Sequence, residues 1–147
     1  MHTRCRFTFF ILLLSLALVS ACSTTSYTRH KTPGISGSIF IDGEPVEGIM
    51  IYLSIKAGDT NCLSVASSTS TAADGTFHIS SLKEQMNYTP VMTYYLNDWN
   101  LCAEIKGQRR ALYSDNHYGI GSVQKTVTLN CKFTAGRYHA RSCSQSL

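Results

Sequence analysis

Four cysteines and four histidines are the residues best placed for chemistry in the body of this 147-residue chain. Cys62, Cys102, Cys131 and Cys143 stand 40, 29 and 12 positions apart. A structural zinc site wants close pairs of the C-x₂-C kind with His or Cys in ligand register, and neither is present. The same four thiols in an oxidising compartment would close two disulfides, with three connectivities open. Cys131 shares the apolar face of its segment whereas Cys102 lies opposite Leu101, Ala103 and Ile105, so joining those two would need a bulge or an edge position. Among the histidines, His30 and His139 lie in polar segments and His78 alternates with Phe77 and Ile79, which points it outward. His117 beside Asp115 and Tyr118 is a faint site signal without a nucleophile or an orienting group. No G-x-S-x-G elbow exists for a serine nucleophile. The nine acidic residues are scattered through turns rather than paired for glycoside chemistry. Neither a catalytic residue, a metal site nor a cofactor site is expected.

The beginning of the chain says where those thiols would live. Arg4 and Arg6 precede an apolar run from Phe7 to Val19. As a helix it would reach about 20 Å, short of the roughly 30 Å hydrocarbon core, so a signal peptide fits better than a membrane span. It ends in Val19-Ser20-Ala21-Cys22, which resembles the lipobox of bacterial lipoproteins. That resemblance implies cleavage between Ala21 and Cys22, removal of residues 1–21 and lipidation of Cys22, with several acyl chains giving stable anchoring. Ser23 rather than Asp after the cysteine points to the outer membrane, facing the periplasm.

The chain carries 13 Lys and Arg against 9 Asp and Glu. Without Arg4 and Arg6 the mature balance is 11 to 9, a formal +2. That is too little for phosphate-driven nucleic-acid binding. The dense basic run Lys106-Gly107-Gln108-Arg109-Arg110 reads as a solvated loop, or more sharply as a contact for anionic lipid phosphates.

Residues 22–34 are polar and Ser/Thr-rich, as a flexible tether would be. From Ile35 onward the pattern is β. Ile35, Ile39 and Ile41 alternate with Ser36, Ser38 and Phe40, and Ile49, Ile51, Leu53 and Ile55 share one face. Asp42-Gly43 and Asp74-Gly75 are turn signals. Tyr88–Leu96 and Leu101–Ile105 read as a hairpin around Asn97-Asp98-Trp99-Asn100, Ser114–Gly121 as a loop, and Val127, Leu129, Cys131 and Phe133 as a last strand. About seven short strands without a helical period beyond the signal segment predict a single immunoglobulin-like or transthyretin-like sandwich, all-β, over residues 35–134. Residues 135–147 form a polar tail that Cys143 would pin back.

Ile35-Ser-Gly-Ser-Ile-Phe-Ile-Asp-Gly-Glu-Pro-Val-Glu-Gly-Ile-Met-Ile-Tyr-Leu53, with Asp74-Gly75-Thr76-Phe77 downstream, resembles the opening of carboxypeptidase-regulatory-like, transthyretin-like domains. The resemblance implies that Pro45 and Gly48 shape the first turn, Gly75 takes positive φ and Phe77 turns inward. The region from Trp99 and Tyr113 to Cys131-Lys132-Phe133 is similar to an uncharacterised group of gammaproteobacterial envelope lipoproteins. The transthyretin-like fold family contains an enzyme, a hydroxyisourate hydrolase, which ends in Tyr-Arg-Gly-Ser, whereas this chain ends Arg141-Ser-Cys-Ser-Gln-Ser-Leu147.

Aromatic residues offer the remaining candidate. Tyr88, Tyr94, Tyr95, Trp99, Tyr113 and Tyr118 should mostly pack in the core. The alternative is an exposed Tyr/Trp face, with Tyr94, Tyr95, Trp99, Tyr113 and Tyr118 beside Arg109 and Arg110, suited to an envelope protein or a glycan. The expected function is therefore a non-enzymatic, membrane-anchored envelope lipoprotein with a binding or structural sandwich. Its rivals are a secretion-system accessory lipoprotein and a periplasmic inhibitor or immunity protein.

Overall fold

The computed structural model describes residues 26–87, 95–119, 126–136 and 143–146. The expected signal segment, the Ala21/Cys22 junction, Tyr94 and His139 lie outside them. Eleven strands follow in order: β1 Ser26–His30, β2 Gly34–Ile41, β3 Glu44–Pro45, β4 Met50–Ser54, β5 Ser67–Ser70, β6 Thr76–Ile79, β7 Lys83–Asn87, β8 Tyr95–Ile105, β9 Gln108–Gly119, β10 Thr126–Phe133 and β11 Cys143–Ser146. Contacts divide the chain into two compact units, Thr28–Glu84 with Val91–Leu147 and Met1–Tyr27 with Gln85–Pro90. The first holds both large sheets.

One sheet runs β11-β10-β2-β3, with β6 also on β2. The β2–β10 pair is parallel, and β2 meets β3 and β6 antiparallel on its other edge. The second sheet is β5-β4-β8-β9, antiparallel throughout. β1 and β7 form a separate two-stranded ribbon.

Period-two alternation builds the core between the large sheets. Ile35 and Ile39 of β2, Phe77 and Ile79 of β6, and Val127, Leu129, Cys131 and Phe133 of β10 supply one side. Ile51 and Leu53 of β4, Trp99, Leu101, Ala103 and Ile105 of β8, and Leu112 of β9 supply the other. Each large side chain so buried contributes about 1.5–3 kcal/mol. The result is an all-β sandwich, as the alternation predicts. Gly37, opposite Phe77 in the β2–β6 register, leaves room for the aromatic ring: a Cβ there would sit 2.6 Å from Phe77 Cζ.

Turn chemistry closes the hairpins. Asp42 and Gly43 both take positive φ, 54° and 88°, the geometry of the two-residue turn that matches strand twist. Gly75, at φ 74°, lies so near the Ile39 carbonyl that a Cβ would approach it to 2.6 Å.

Several boundaries differ from those the sequence predicts. No turn interrupts Asn97–Asn100: β8 runs straight through them. Trp99 and Asn100 are both buried, one in the core and one under a loop on the opposite face, so tertiary cover overrides their turn preference. The hairpin turn is Lys106-Gly107 instead, with φ 53° and 72°, and Gln108, Arg109 and Arg110 belong to β9 rather than to a solvated loop. β9 extends to Gly119, through most of the segment expected to be the Ser114–Gly121 loop. Strand structure also begins inside residues 22–34, where β1 lies and Thr32 is fully buried with its hydroxyl bonded by Leu82 N–H. The polar tail contributes β11, which pairs with β10.

Candidate binding surface

Side chains alternating away from the core give the four-stranded sheet an outer face. β4 presents Met50, Tyr52 and Ser54, which register against Glu104, Cys102 and Asn100 of β8. A segment between β4 and β5 folds back over this face. Its staple is the Cys62–Cys102 disulfide, with Cα atoms 6.1 Å apart. Asn100 Nδ2 donates to the Lys56 carbonyl and Ser114 Oγ to Asn100 Oδ1, so the buried amide is satisfied on both sides.

Asp59 organises the bend. Its carboxylate accepts the Leu63 and Ser64 backbone N–H groups and the Ser54 hydroxyl at 2.9, 2.8 and 2.7 Å. Those bonds favour the charged form and hold its carboxyl below the ordinary value, the Ser64 amide most strongly. Cys62 takes φ 49°, a left-handed conformation held there by its bridge. The far side of the bend is fixed by Arg109, whose Nη1 donates to the Cys62 carbonyl at 2.7 Å. The guanidinium carbon lies 4.0 Å from the centre of the Tyr52 ring, within cation–π range. Tyr52 donates to Glu104 Oε2 at 2.8 Å, and that bond pushes the phenol above its usual value. The consequence is a braced loop with Leu63 and Val65 turned to solvent, 77% and 43% exposed.

Of the two readings of the aromatic cluster, core packing rather than the alternative exposed face holds for Trp99. That residue is 1% exposed and stacks on Tyr113, ring centres 5.3 Å apart. A bulge explains the pairing. Leu101 registers with Tyr113 and Cys102 with Ala111, so Leu112 is an extra residue and both Leu112 and Tyr113 pack on the core. Burial raises the Tyr113 phenol, with Asp115 adding to the effect. Arg109 is committed to the loop and Arg110 Nη2 donates to Gln108 Oε1. Tyr95 and Tyr118 occupy strand positions in β8 and β9, and their side chains lie outside the described residues, as does that of His117.

The second disulfide joins Cys131 of β10 to Cys143 of β11, directly opposite one another in register. All four cysteines predicted to be bridged are therefore bridged, and the polar tail is pinned through Cys143. Sequence alone leaves the connectivity open because the Cys102 side of β8 is covered only once the Lys56–Ala66 segment folds back.

His78 is exposed, as alternation predicts, and lies 3.0 Å from Ser36 Oγ across β2 and β6. His30 meets Ser81 Oγ at 2.6 Å. Among the described residues no group of three His, Cys, Asp or Glu side chains is placed to hold a metal ion, and no helix is long and apolar enough to cross a membrane. Asp59, Leu63 and Val65 belong to no motif named above, and Met50 and Tyr52 enter only as part of the Ile35–Leu53 stretch. The one signal, and only for Leu63 and Val65, is the charge-free stretch from Thr60 to Ala73.

No family model and no curated protein matches this chain. Among solved structures it is similar to the dioxygenase domain of a dioxygenase carbohydrate-binding protein fusion from the cellulolytic bacterium Streptomyces sp. SirexAA-E. The match has 13% identity over 82% of this chain and 85% of that one, with a TM-score of 0.34. A likeness of that size carries no argument about activity.

Proposed function

We propose that this chain is a membrane-anchored envelope lipoprotein whose transthyretin-like sandwich serves as a non-enzymatic binding or structural module, held by lipid on Cys22 at the periplasmic side of the outer membrane. The observation that carries the reading is the pairing of Cys62 with Cys102 and Cys131 with Cys143. Two bridges in one small domain fit an oxidising, exported location. They also account for every cysteine that follows Cys22 in the chain. The N-terminal apolar run and the Val19-Ser20-Ala21-Cys22 junction supply the export and lipidation signals.

The test is metabolic labelling with a clickable palmitate analogue in cells expressing the full chain or Cys22→Ser. The wild type takes label and runs at its processed size, whereas the variant stays unlabelled and accumulates as precursor. Label retained on Cys22→Ser overturns the proposal.

A further inference from the structure

We propose that the Cys131–Cys143 bridge is a redox clasp: a dithiol reductant opens it while Cys62–Cys102 stays closed, and β11 then leaves the sheet. The two bridges are buried to different depths. Cys62 and Cys102 are both 0% exposed. Cys102 lies in an inner strand, between Tyr52 of β4 and Ala111 of β9. Cys62 sits in the bend held by Asp59 and Arg109. Cys131 is equally buried, but its partner Cys143 is half-buried in the outermost strand of its sheet.

The two bridges also differ in what must move before a thiol can reach them. β11 pairs among the described residues with β10 alone, over the four positions from Thr128↔Ser146 to Cys131↔Cys143. Ser144, Gln145 and Ser146 are all exposed, so no fully buried side chain anchors the strand. Tyr113 Oη donates to Gln145 Oε1 at 3.2 Å, and Ser144 Oγ reaches the Asn130 carbonyl only at 3.5 Å. A short edge strand of this kind opens locally at far lower free energy than the core. Opening at Cys62 demands more. The bend must shed three bonds to the Asp59 carboxylate and the Arg109 bond to the Cys62 carbonyl.

Thiol–disulfide exchange then proceeds from the accessible side. One thiolate of the dithiol attacks Cys143 Sγ. The Sγ–Sγ bond breaks, and the Cys131 sulfur leaves as a thiolate that takes up a proton. The second thiolate of the reductant attacks the reductant's own sulfur in the mixed disulfide, which releases Cys143 as a thiolate that is protonated in turn. Two electrons and two protons have passed from the dithiol, now a disulfide, to the protein, now carrying two thiols. β10 keeps its parallel pairing with β2, and the fully buried core comes from strands other than β11, so the sandwich outlasts the release. What changes is the flank of β10, which becomes an open edge of the kind that accepts another strand. None of this depends on how the chain is anchored, so the labelling test and the one below fail independently.

The full chain, purified in detergent, is incubated with dithiothreitol at mildly alkaline pH without denaturant. Samples are quenched with iodoacetamide over time and mapped by peptide mass spectrometry, with hydrogen exchange followed in parallel. Cys131 and Cys143 become alkylated together, at least about tenfold faster than Cys62 and Cys102. Amides of β11 lose protection as they do so, while those of β4 and β8 keep theirs. Cys131→Ser/Cys143→Ser shows the same loss at β11 without any dithiol; should that variant fail to fold, the wild-type time course decides. Equal rates at the two bridges, earlier opening of Cys62–Cys102, a Cys131–Cys143 bridge that yields only in denaturant, or an opened bridge with β11 still protected overturns the proposal.

Discussion

Replacing Gly37 by alanine adds one methyl group at the most crowded point of the sandwich. Its Cβ would lie 2.6 and 2.7 Å from Phe77 Cζ and Cε1, and 2.8 Å from the Leu129 carbonyl oxygen. Neither neighbour yields easily. Phe77 is 5% exposed within the core, and Leu129 belongs to the parallel partner strand β10. Gly37 is not left-handed, so the effect is steric rather than conformational. Overpacking of this kind costs about 1–3 kcal/mol, offset by about 0.4–1 kcal/mol from the stiffer unfolded chain. The net expectation is a loss of about 1–2 kcal/mol, or about 3–12 °C in melting temperature for a domain of this size. Urea and thermal unfolding would be followed for Gly37→Ala, Phe77→Leu and the double variant. Removing the ring should relieve the clash, so the double variant loses less than the two single losses together. Unchanged stability in Gly37→Ala, or strict additivity, would refute the account of why glycine stands opposite Phe77.

The two bridges should differ in worth because they close loops of 40 and 12 residues' separation. Chain entropy assigns about 4 kcal/mol to the first and about 3 kcal/mol to the second, so Cys62→Ser/Cys102→Ser should unfold at lower urea than Cys131→Ser/Cys143→Ser. Equal midpoints would contradict this ranking. Asp59 has a depressed folded value, so its contribution is present above the unfolded carboxylate value of about 4 and lost as pH falls through the folded one. Asp59→Asn should therefore lower the melting temperature at neutral pH and flatten its decline in acid; an unaltered acid profile would count against the bonds to Leu63 and Ser64. Trp99→Ala should cost about 3–5 kcal/mol as a buried aromatic, measured by denaturant unfolding, and a near-neutral change would restore the exposed aromatic face.

Local signals in the sequence are legible where neighbours in the chain also decide the structure. Asp42-Gly43 and Asp74-Gly75 turn as their types require, and Ile51, Leu53, Val127, Leu129, Cys131 and Phe133 point inward by alternation. Long-range cover accounts for the departures. Asn97–Asn100 has turn-forming composition, yet β9 along its whole length, and β4 at Asn100, hold it extended. β1 and β11 show no apolar period because much of their surface is solvated, so composition marks them as tether and tail. The braced loop is hidden for a different reason: Asp59, Cys62, Tyr52 and Arg109 come from three separate stretches, and nothing in any one of them announces the other two.

The parallel union of β2 with β10 sets an order of events during synthesis. Gly34 registers with Thr126 and Ile41 with Phe133, so the earliest strand of the sandwich has an unfilled flank until the chain beyond Phe133 has emerged. High-separation pairing of this type slows folding. A nascent chain halted before Thr126 would keep Ile35 and Ile39 without the Val127 and Leu129 cover they pack against. Such fragments should be ready protease substrates, and β10 is the late latch that closes the sheet over Ile35 and Ile39.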